Sequence, residues 1–447
     1  MENTLLELFT LDDNVCYELK DNYHKSFINS LSNHQAGNSG TWTVENGGVK
    51  AIDTFLRSPS SLPPSSKGLG FVINEASLQL CLVDRAPKNA ITILDRQECE
   101  LEPYDDLDTV CKCCVKMIQN LPIPLPERTP LVICAVASIV YQQGLRQAYL
   151  LDGQFASDAN LCSVMEKTFR NKKLGEQVFV AAHVCEMAAS YLSMVLDYPP
   201  SVPRVHCVVD RGVGIACGVR HKNFDGNVIL AECQNFAKGI PLTFIDRQLA
   251  ALEPDSALHT LERLVSIDCM AELVRLSVLY LLSLDQEETA GKLLWTRNTL
   301  SAEDVLAIVN SSDSPSAVLR ILGAKWDWQL QSSNEKEYLN RLNVARITKL
   351  IAQALVRRAG RIMGCILQCI IRYQKESEGT SCSVTLGGRV CTLACFRHEL
   401  MNQLRTRHEP MLTLGHINST MALEKVELIR GGSDIPSMAA ISASLIT

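Results

Sequence analysis

Three short apolar runs between residues 68 and 94 constrain this chain more than any other feature. Gly68-Leu-Gly-Phe-Val-Ile73, Leu78-Gln-Leu-Cys-Leu-Val83 and Ala90-Ile-Thr-Ile-Leu94 have the length of strands, and only brief polar breaks separate them. Breaks this short leave no room for crossover helices, so the runs predict an antiparallel meander. A helical pattern follows at about 105–120. Then comes the continuously apolar run Leu131–Ala137, which reads as a strand buried on both faces. Val205–Val209 and Ile215–Val219 resemble a second strand pair, and from about residue 243 the chain reads as helical. Long helices are predicted over 258–284 and 335–373. Two βββαβα-type halves with helical additions make an α/β protein of two lobes around a cleft.

The length of 447 residues suits two lobes better than one core. Residues 4–32 predict one or two amphipathic helices, with Leu5, Leu8, Phe9, Val15, Leu19, Tyr23, Phe27 and Leu31 as the apolar set. A Ser/Pro-rich connector, residues 58–66, breaks that pattern before the first apolar run. Apolar residues make up 47% and charged residues 21%, as in soluble globular proteins. A net charge of −6 gives no electrostatic reason to expect nucleic acid or an anionic membrane as partner. The most apolar stretches, Leu131–Tyr141 and Leu276–Leu284, are far short of a membrane span. The opening MENTLLELFTLDD carries acidic residues where a secretory signal would be basic. The eighteen cysteines therefore read as small core residues of a reduced, intracellular protein, cytoplasmic or nuclear. Cys111, Cys113 and Cys114 are the strongest metal candidate, but they share helical spacing with Leu107, Val110 and Ile118 and have no second cysteine pair nearby. They read as a helix face, and no metal site is assigned.

Several blocks in the helical half carry a resemblance. Thr243-Phe-Ile-Asp-Arg247, Leu261-Glu-Arg-Leu-Val-Ser266, Met270-Ala-Glu-Leu-Val-Arg-Leu276 and Val356-Arg-Arg-Ala-Gly-Arg361 are similar, in order and spacing, to segments of the eukaryotic hexokinase family. The likeness is weak per residue and runs from about residue 5 to 445. It implies the two-lobed actin-like ATPase (ribonuclease H-like) hexokinase fold with helical additions, hexose in the interlobe cleft and ATP at its mouth. On that pattern residues 66–187 plus 430–447 form the small lobe, and residues 1–65 plus 188–429 the large one.

Phosphoryl transfer to a sugar hydroxyl needs donors for the phosphates, a base for the hydroxyl proton and groups that hold the sugar in line. The family's first phosphate hairpin corresponds to Val72-Ile-Asn-Glu-Ala-Ser77. Its glycines have become Asn74 and Glu75, and its aspartate Val72. A carboxylate at Glu75 repels phosphate where donors are required. The family's catalytic aspartate corresponds to His183, with Ala182 in place of the neighbouring asparagine. Histidine, with a reference pKa of about 6.5, is able to act as a base. The family's S-Y-P loop corresponds to Ala137-Ser-Ile139, its T-K pair to Asp152-Gly153, and the hexose asparagine of its second phosphate loop to Ile215. The resemblance leaves Glu232 and Glu272 as sugar-binding candidates. Arg211, Gly431 and Gly432 are its nucleotide-binding candidates, the two glycines lying just before the segment that replaces the adenosine loop. Glu272 with Arg275 also fits an intrahelical ion pair.

Together these replacements imply a hexokinase-like protein impaired or inactive in catalysis. A regulatory or sugar-sensing role follows, with hexose in the cleft and a regulatory protein as partner, and without a certain cofactor. The alternative is an active enzyme that converts ATP and D-hexose to D-hexose 6-phosphate and ADP, with His183 as base and ATP and Mg2+ as cofactors. A third reading is a small-molecule binding protein whose cleft is lined by Val72, Ala182 and Ile215.

Overall fold

The computed structural model describes residues 6–33, 48–57, 66–73, 77–86, 91–102, 106–135, 139–141, 148–150, 160–185, 204–219, 227–252, 259–284, 292–311, 314–326, 335–378, 383–404 and 435–445. The predicted meander is present as β2 (Ser66–Ile73), β3 (Ser77–Arg85) and β4 (Ile91–Glu100). β5 (Thr129–Ala135) and β8 (Val178–Cys185) extend it on the other side, giving a five-stranded sheet in the order β4-β3-β2-β5-β8. β5 lies parallel to both β2 and β8. The parallel connections run through α2 (Leu107–Gln119) and α3 (Leu161–Asn171). A short hairpin, β6 (Ile139–Tyr141) with β7 (Ala148–Leu150), forms a separate two-stranded sheet.

The two faces of β2 are built differently. Leu69, Phe71 and Ile73 point into a core shared with Val110, Cys111, Cys114 and Ile118 of α2 and with Met165 and Phe169 of α3. Cys111 and Cys114 are thus packing residues, and no cluster of metal-ligating side chains occurs among the described residues. On the opposite face α11 (Ile435–Leu445) lies so close that a Cβ on Gly68 would sit 2.1 Å from the Ala440 carbonyl oxygen and 2.6 Å from the Ser444 nitrogen. Only glycine permits that approach. The Ser66 hydroxyl donates to the Ser444 carbonyl at 2.6 Å and fixes the helix over the sheet.

The second five-stranded sheet has the order β1-β11-β10-β9-β12. β9 (Arg204–Val209), β10 (Val213–Gly218) and β11 (Asn227–Glu232) form another antiparallel meander. β12 (Ser383–Gly387) adds parallel to β9, and β1 (Lys50–Arg57) closes the other edge antiparallel to β11. β1, β11 and β12 were not separable in the sequence. β1 and β12 pair with strands some 180 residues away along the chain, and no local turn announces them.

Helices fill the rest of this half. α1 (Asp13–Asn33) buries Cys16, Leu19, Tyr23, Phe27 and Leu31, while Leu8, expected in the apolar set, is exposed. The helix predicted over 258–284 is broken into α5 (Thr260–Val265) and α6 (Ile267–Leu284). Ser266 between them is extended, its hydroxyl accepts from the Cys269 N–H, and the Ile267 N–H is diverted to the Asp210 carbonyl at 2.9 Å. α4 (Phe244–Leu252), α7 (Ala302–Asn310) and α8 (Pro315–Trp326) surround the 44-residue α9 (Glu335–Glu378). Gly360 and Gly364 sit one turn apart on α9. A Cβ on Gly360 would lie 2.4 Å from the Phe396 carbonyl oxygen, so α10 (Ala394–Leu404) crosses there almost backbone to backbone. No described helix is long and apolar enough to cross a membrane.

Candidate functional site

Ligands of open α/β sheets gather at the carboxyl ends of parallel strands, which gives two edges to inspect. In the first sheet, the carboxyl ends of β2, β5 and β8 share one edge. The register Ile73↔Leu78 pairs the end of β2 with the start of β3. Asn74, Glu75, Ala76, Ala137, Asp152, Gly153, Gly431 and Gly432 lie outside the described residues, so only their sequence bears on the site. Val72, where the resemblance implies an aspartate, is fully buried in β2. His183 occupies a position two residues before the end of β8, with its backbone opposite Ile133.

At the corresponding edge of the second sheet, the antiparallel order places the start of β1, the end of β11, the β9–β10 turn and the end of β12 together. Lys50 pairs across to Glu232, 3.9 Å between the charged atoms. The turn itself is Asp210-Arg211-Gly212. Arg389, just past β12, donates from its backbone, Nε and Nη2 to the Asp210 carboxylate and reaches Glu303 with Nη1. Burial alone would raise the Asp210 carboxyl, but these donations and the arginine charge bring it below the ordinary range. Arg211 is largely exposed and pairs with Asp268 at 3.7 Å. Ile215 points the other way, into the large apolar core.

Glu272 is 4% exposed. Arg275 donates to it from Nε and from Nη2, the latter at 2.7 Å, and the Asn298 N–H donates at 2.5 Å. Arg275 also donates to the Leu294 carbonyl. Both carboxylate oxygens of Glu272 are therefore taken up by protein donors. Glu232 differs: its side chain keeps 37% of its surface open, and burial, only partly offset by Lys50, raises its carboxyl above the usual value.

A second carboxylate, Glu262, joins Glu232 at this edge. The Gln234 carbonyl just beyond β11 accepts from the Leu261 and Glu262 N–H groups, tying the start of α5 to the sheet. A Cβ on Gly212 would lie 3.1 Å from Glu262 Oε1, so this carboxylate rests on the β9–β10 turn. Burial raises Glu262, and the charge of His259, 3.2 Å away, opposes the shift without cancelling it. In the sequence Glu262 sits inside Leu261-Glu-Arg-Leu-Val, where spacing gives no means of telling it from a solvated helix carboxylate. Its closeness to Gly212 is what marks it.

Two raised carboxyls at one edge make a testable signature. A carboxyl raised in the fold means that its ionised form is held less favourably there than in the unfolded chain, so the penalty grows as pH rises past 4.5. Glu232→Gln and Glu262→Gln should each raise the unfolding temperature slightly at pH 7, and the gain should vanish near pH 4. Thermal unfolding of each variant at the two pH values is the measurement.

A family model described as hexokinase matches residues 207–418. Among solved structures, one described as a hexokinase superposes with a TM-score of 0.78 at 14% identity, covering 100% of this chain and 98% of its own. A hexokinase from Schistosoma mansoni complexed with glucose gives 0.69 at 15% identity, covering 99% of each chain. No curated protein matches. The fold is thus the two-lobed α/β hexokinase fold, as the resemblance in the sequence implied.

Proposed function

We propose that this chain, a divergent hexokinase-like protein by its fold and by its family match over residues 207–418, binds a sugar without phosphorylating it and serves a regulatory or sensing role. One observation carries the reading. In the sequence, the segment that follows β2 and precedes β3 is Asn74-Glu75-Ala76, with no glycine and one carboxylate where the resemblance implies a phosphate-binding turn. A phosphate-binding turn works by bringing unhindered backbone N–H groups to the anion, and a carboxylate at the same place opposes it. Arg211, the substitute donor that the sequence nominates, is in an ion pair with Asp268. The residues present therefore do not suit Mg-ATP. Losing oriented donors removes what is usually the largest contribution to transition-state stabilisation.

On this reading residues 66–187 with 430–447 form the small lobe and residues 1–65 with 188–429 the large one. Glu232 and Glu262 are the ligand-facing carboxylates, and Glu272 is structural. Carboxylate acceptors suit the hydroxyls of a hexose. The test has two arms. Isothermal titration should detect D-glucose or another hexose, weakened by Glu232→Gln, and should detect no Mg-ATP. A radiolabelled ATP assay across several hexoses should show no turnover. Turnover abolished by His183→Ala, or micromolar Mg-ATP binding, would reject the proposal in favour of an active kinase that uses His183 at the end of β8 as its base.

A further inference from the structure

We propose, resting on the sugar-binding reading above, that His259 is the positioning residue of the ligand edge. Its imidazole holds the Glu262 carboxylate and takes up a proton as a hexose closes over that carboxylate, so sugar binding weakens as pH rises. His259 stands at the N-cap of α5, where serine, threonine, aspartate or asparagine would turn a side-chain oxygen to the first N–H groups of the helix. It makes no such bond. Its carbonyl serves the helix by accepting the Arg263 N–H at 3.0 Å. The ring turns instead to the third helical residue, and Nδ1 lies 3.2 Å from Glu262 Oε2. Glu262 sends its own N–H to the Gln234 carbonyl, and its other carboxylate oxygen rests against Gly212. The carboxylate is thus held between the sheet edge and the imidazole. The His259 side chain is 47% exposed against 29% for Glu262, so the ring is the member of the pair that exchanges protons with solvent.

Two acceptors do not sit this close without a proton between them, so one lies on the Nδ1–Oε2 line. The ring's other nitrogen, Nε2, then sets the charge of the pair. Protonated, it makes an ion pair; bare, it leaves the carboxylate with a neutral donor. Histidine is the side chain that makes this change between pH 5 and 8. The other charged groups around the edge have partners of their own: Asp210 with Arg389, Arg211 with Asp268, Glu232 with Lys50, and Arg358 of α9 with Asp246 of α4. Arg263, on α5 itself, is buried in the fold. Glu232 and Glu262 both bear on the buried Cys233 thiol, so the two carboxylates share this edge. Burial already holds the Glu262 carboxyl above its ordinary value, and among the described residues His259 is the charge that opposes the rise. A hexose seated on Glu262 takes away water from it, which raises the cost of a carboxylate without a counter-charge. The complex therefore favours the protonated ring more than the free protein does. A ligand whose complex binds more protons loses affinity as pH rises, by at most about tenfold per pH unit for one proton.

Isothermal titration of the full chain with D-glucose, D-mannose and D-galactose at pH 6 and pH 8, each in two buffers of different ionisation enthalpy, reads affinity and proton uptake together. For the hexose that binds, the wild type should lose about threefold or more in affinity between the two pH values and should take up part of a proton per sugar. His259→Gln should bind equally at the two pH values without proton uptake, because an amide donates to Oε2 and does not titrate. His259→Ala, which removes the donor, should bind more weakly than His259→Gln and be equally insensitive to pH. Should one variant fail to fold, the other decides together with the wild type. Wild-type binding that is level with pH, a slope that persists when His259 is replaced, or equal binding by the glutamine and alanine variants overturns the proposal and leaves the sugar-binding reading standing. No binding of any of the three sugars overturns both.

Discussion

Glu272→Ala will lower folding stability by about 3–5 kcal/mol, the range for removing one partner of a buried ion pair. Arg275 is 2% exposed, so the variant leaves a guanidinium in the core whose remaining partner among the described residues is the Leu294 carbonyl. It also frees the N–H of Asn298, a residue in the left-handed backbone region at φ 56°, which Glu272 holds just after the single turn Lys292–Trp295. Asparagine tolerates that conformation better than most residues, but the bond to Glu272 is what fixes the turn against α6. Adding Arg275→Met should recover much of the loss, because an apolar replacement of both partners leaves nothing unpaired. Urea unfolding of the wild type, the single and the double variant measures this. A stable Glu272→Ala protein that loses only hexose binding would instead return Glu272 to the sugar site.

The contrast between Glu272 and Glu262 shows what the sequence was able to tell. Regular periodicity located the elements whose partners are close in the chain: β2–β3–β4, α2, β9–β10 and the long α9. It failed for β1 and β12, because an edge strand with a distant partner has no local signature. It also ran one helix through Ser266, where the diverted Ile267 N–H shows that a contact with the β9–β10 turn decides the break. The site was legible in the same uneven way. Position in a motif nominated Glu272 and Glu232 alike, yet one carboxylate is fully bonded within the protein and the other is half-open at a sheet edge. Glu262 needed coordinates, since only the fold puts it against Gly212. Motif spacing reports which residues the backbone requires. It does not report which of them face a ligand.

The same distinction makes Asp246→Ala the companion prediction, again with an expected loss of about 3–5 kcal/mol. Asp246 and Arg358 come from two of the blocks that carry the hexokinase resemblance, 112 residues apart, and they meet in a bidentate pair with both bonds at 2.8 Å. Their side chains are 2% and 1% exposed. Asp246 Oδ2 also accepts from the Thr243 N–H and hydroxyl, while the Asp246 N–H donates back to that hydroxyl, a reciprocal cap at the start of α4. Phe9 lies under the guanidinium, 5.1 Å from ring centre to Arg358 Cζ. Alanine at 246 removes the counter-charge and the cap together. Arg358→Lys should lose less, about 1–3 kcal/mol, because an ammonium keeps the charge but is unable to bond both oxygens in a plane. Thermal and urea unfolding of the two variants should rank them in that order, and equal stabilities would refute the bidentate account. In this chain the blocks that persist include two ion-pair anchors of the helical half, Asp246–Arg358 and Glu272–Arg275. The segment between β2 and β3, which on the proposed reading would meet a phosphate, has no glycine in its sequence. The ion pairs hold the fold whether or not a phosphoryl group is transferred, so the two stability variants test the scaffold, and the proposed sugar-binding role stands apart on the segment between β2 and β3.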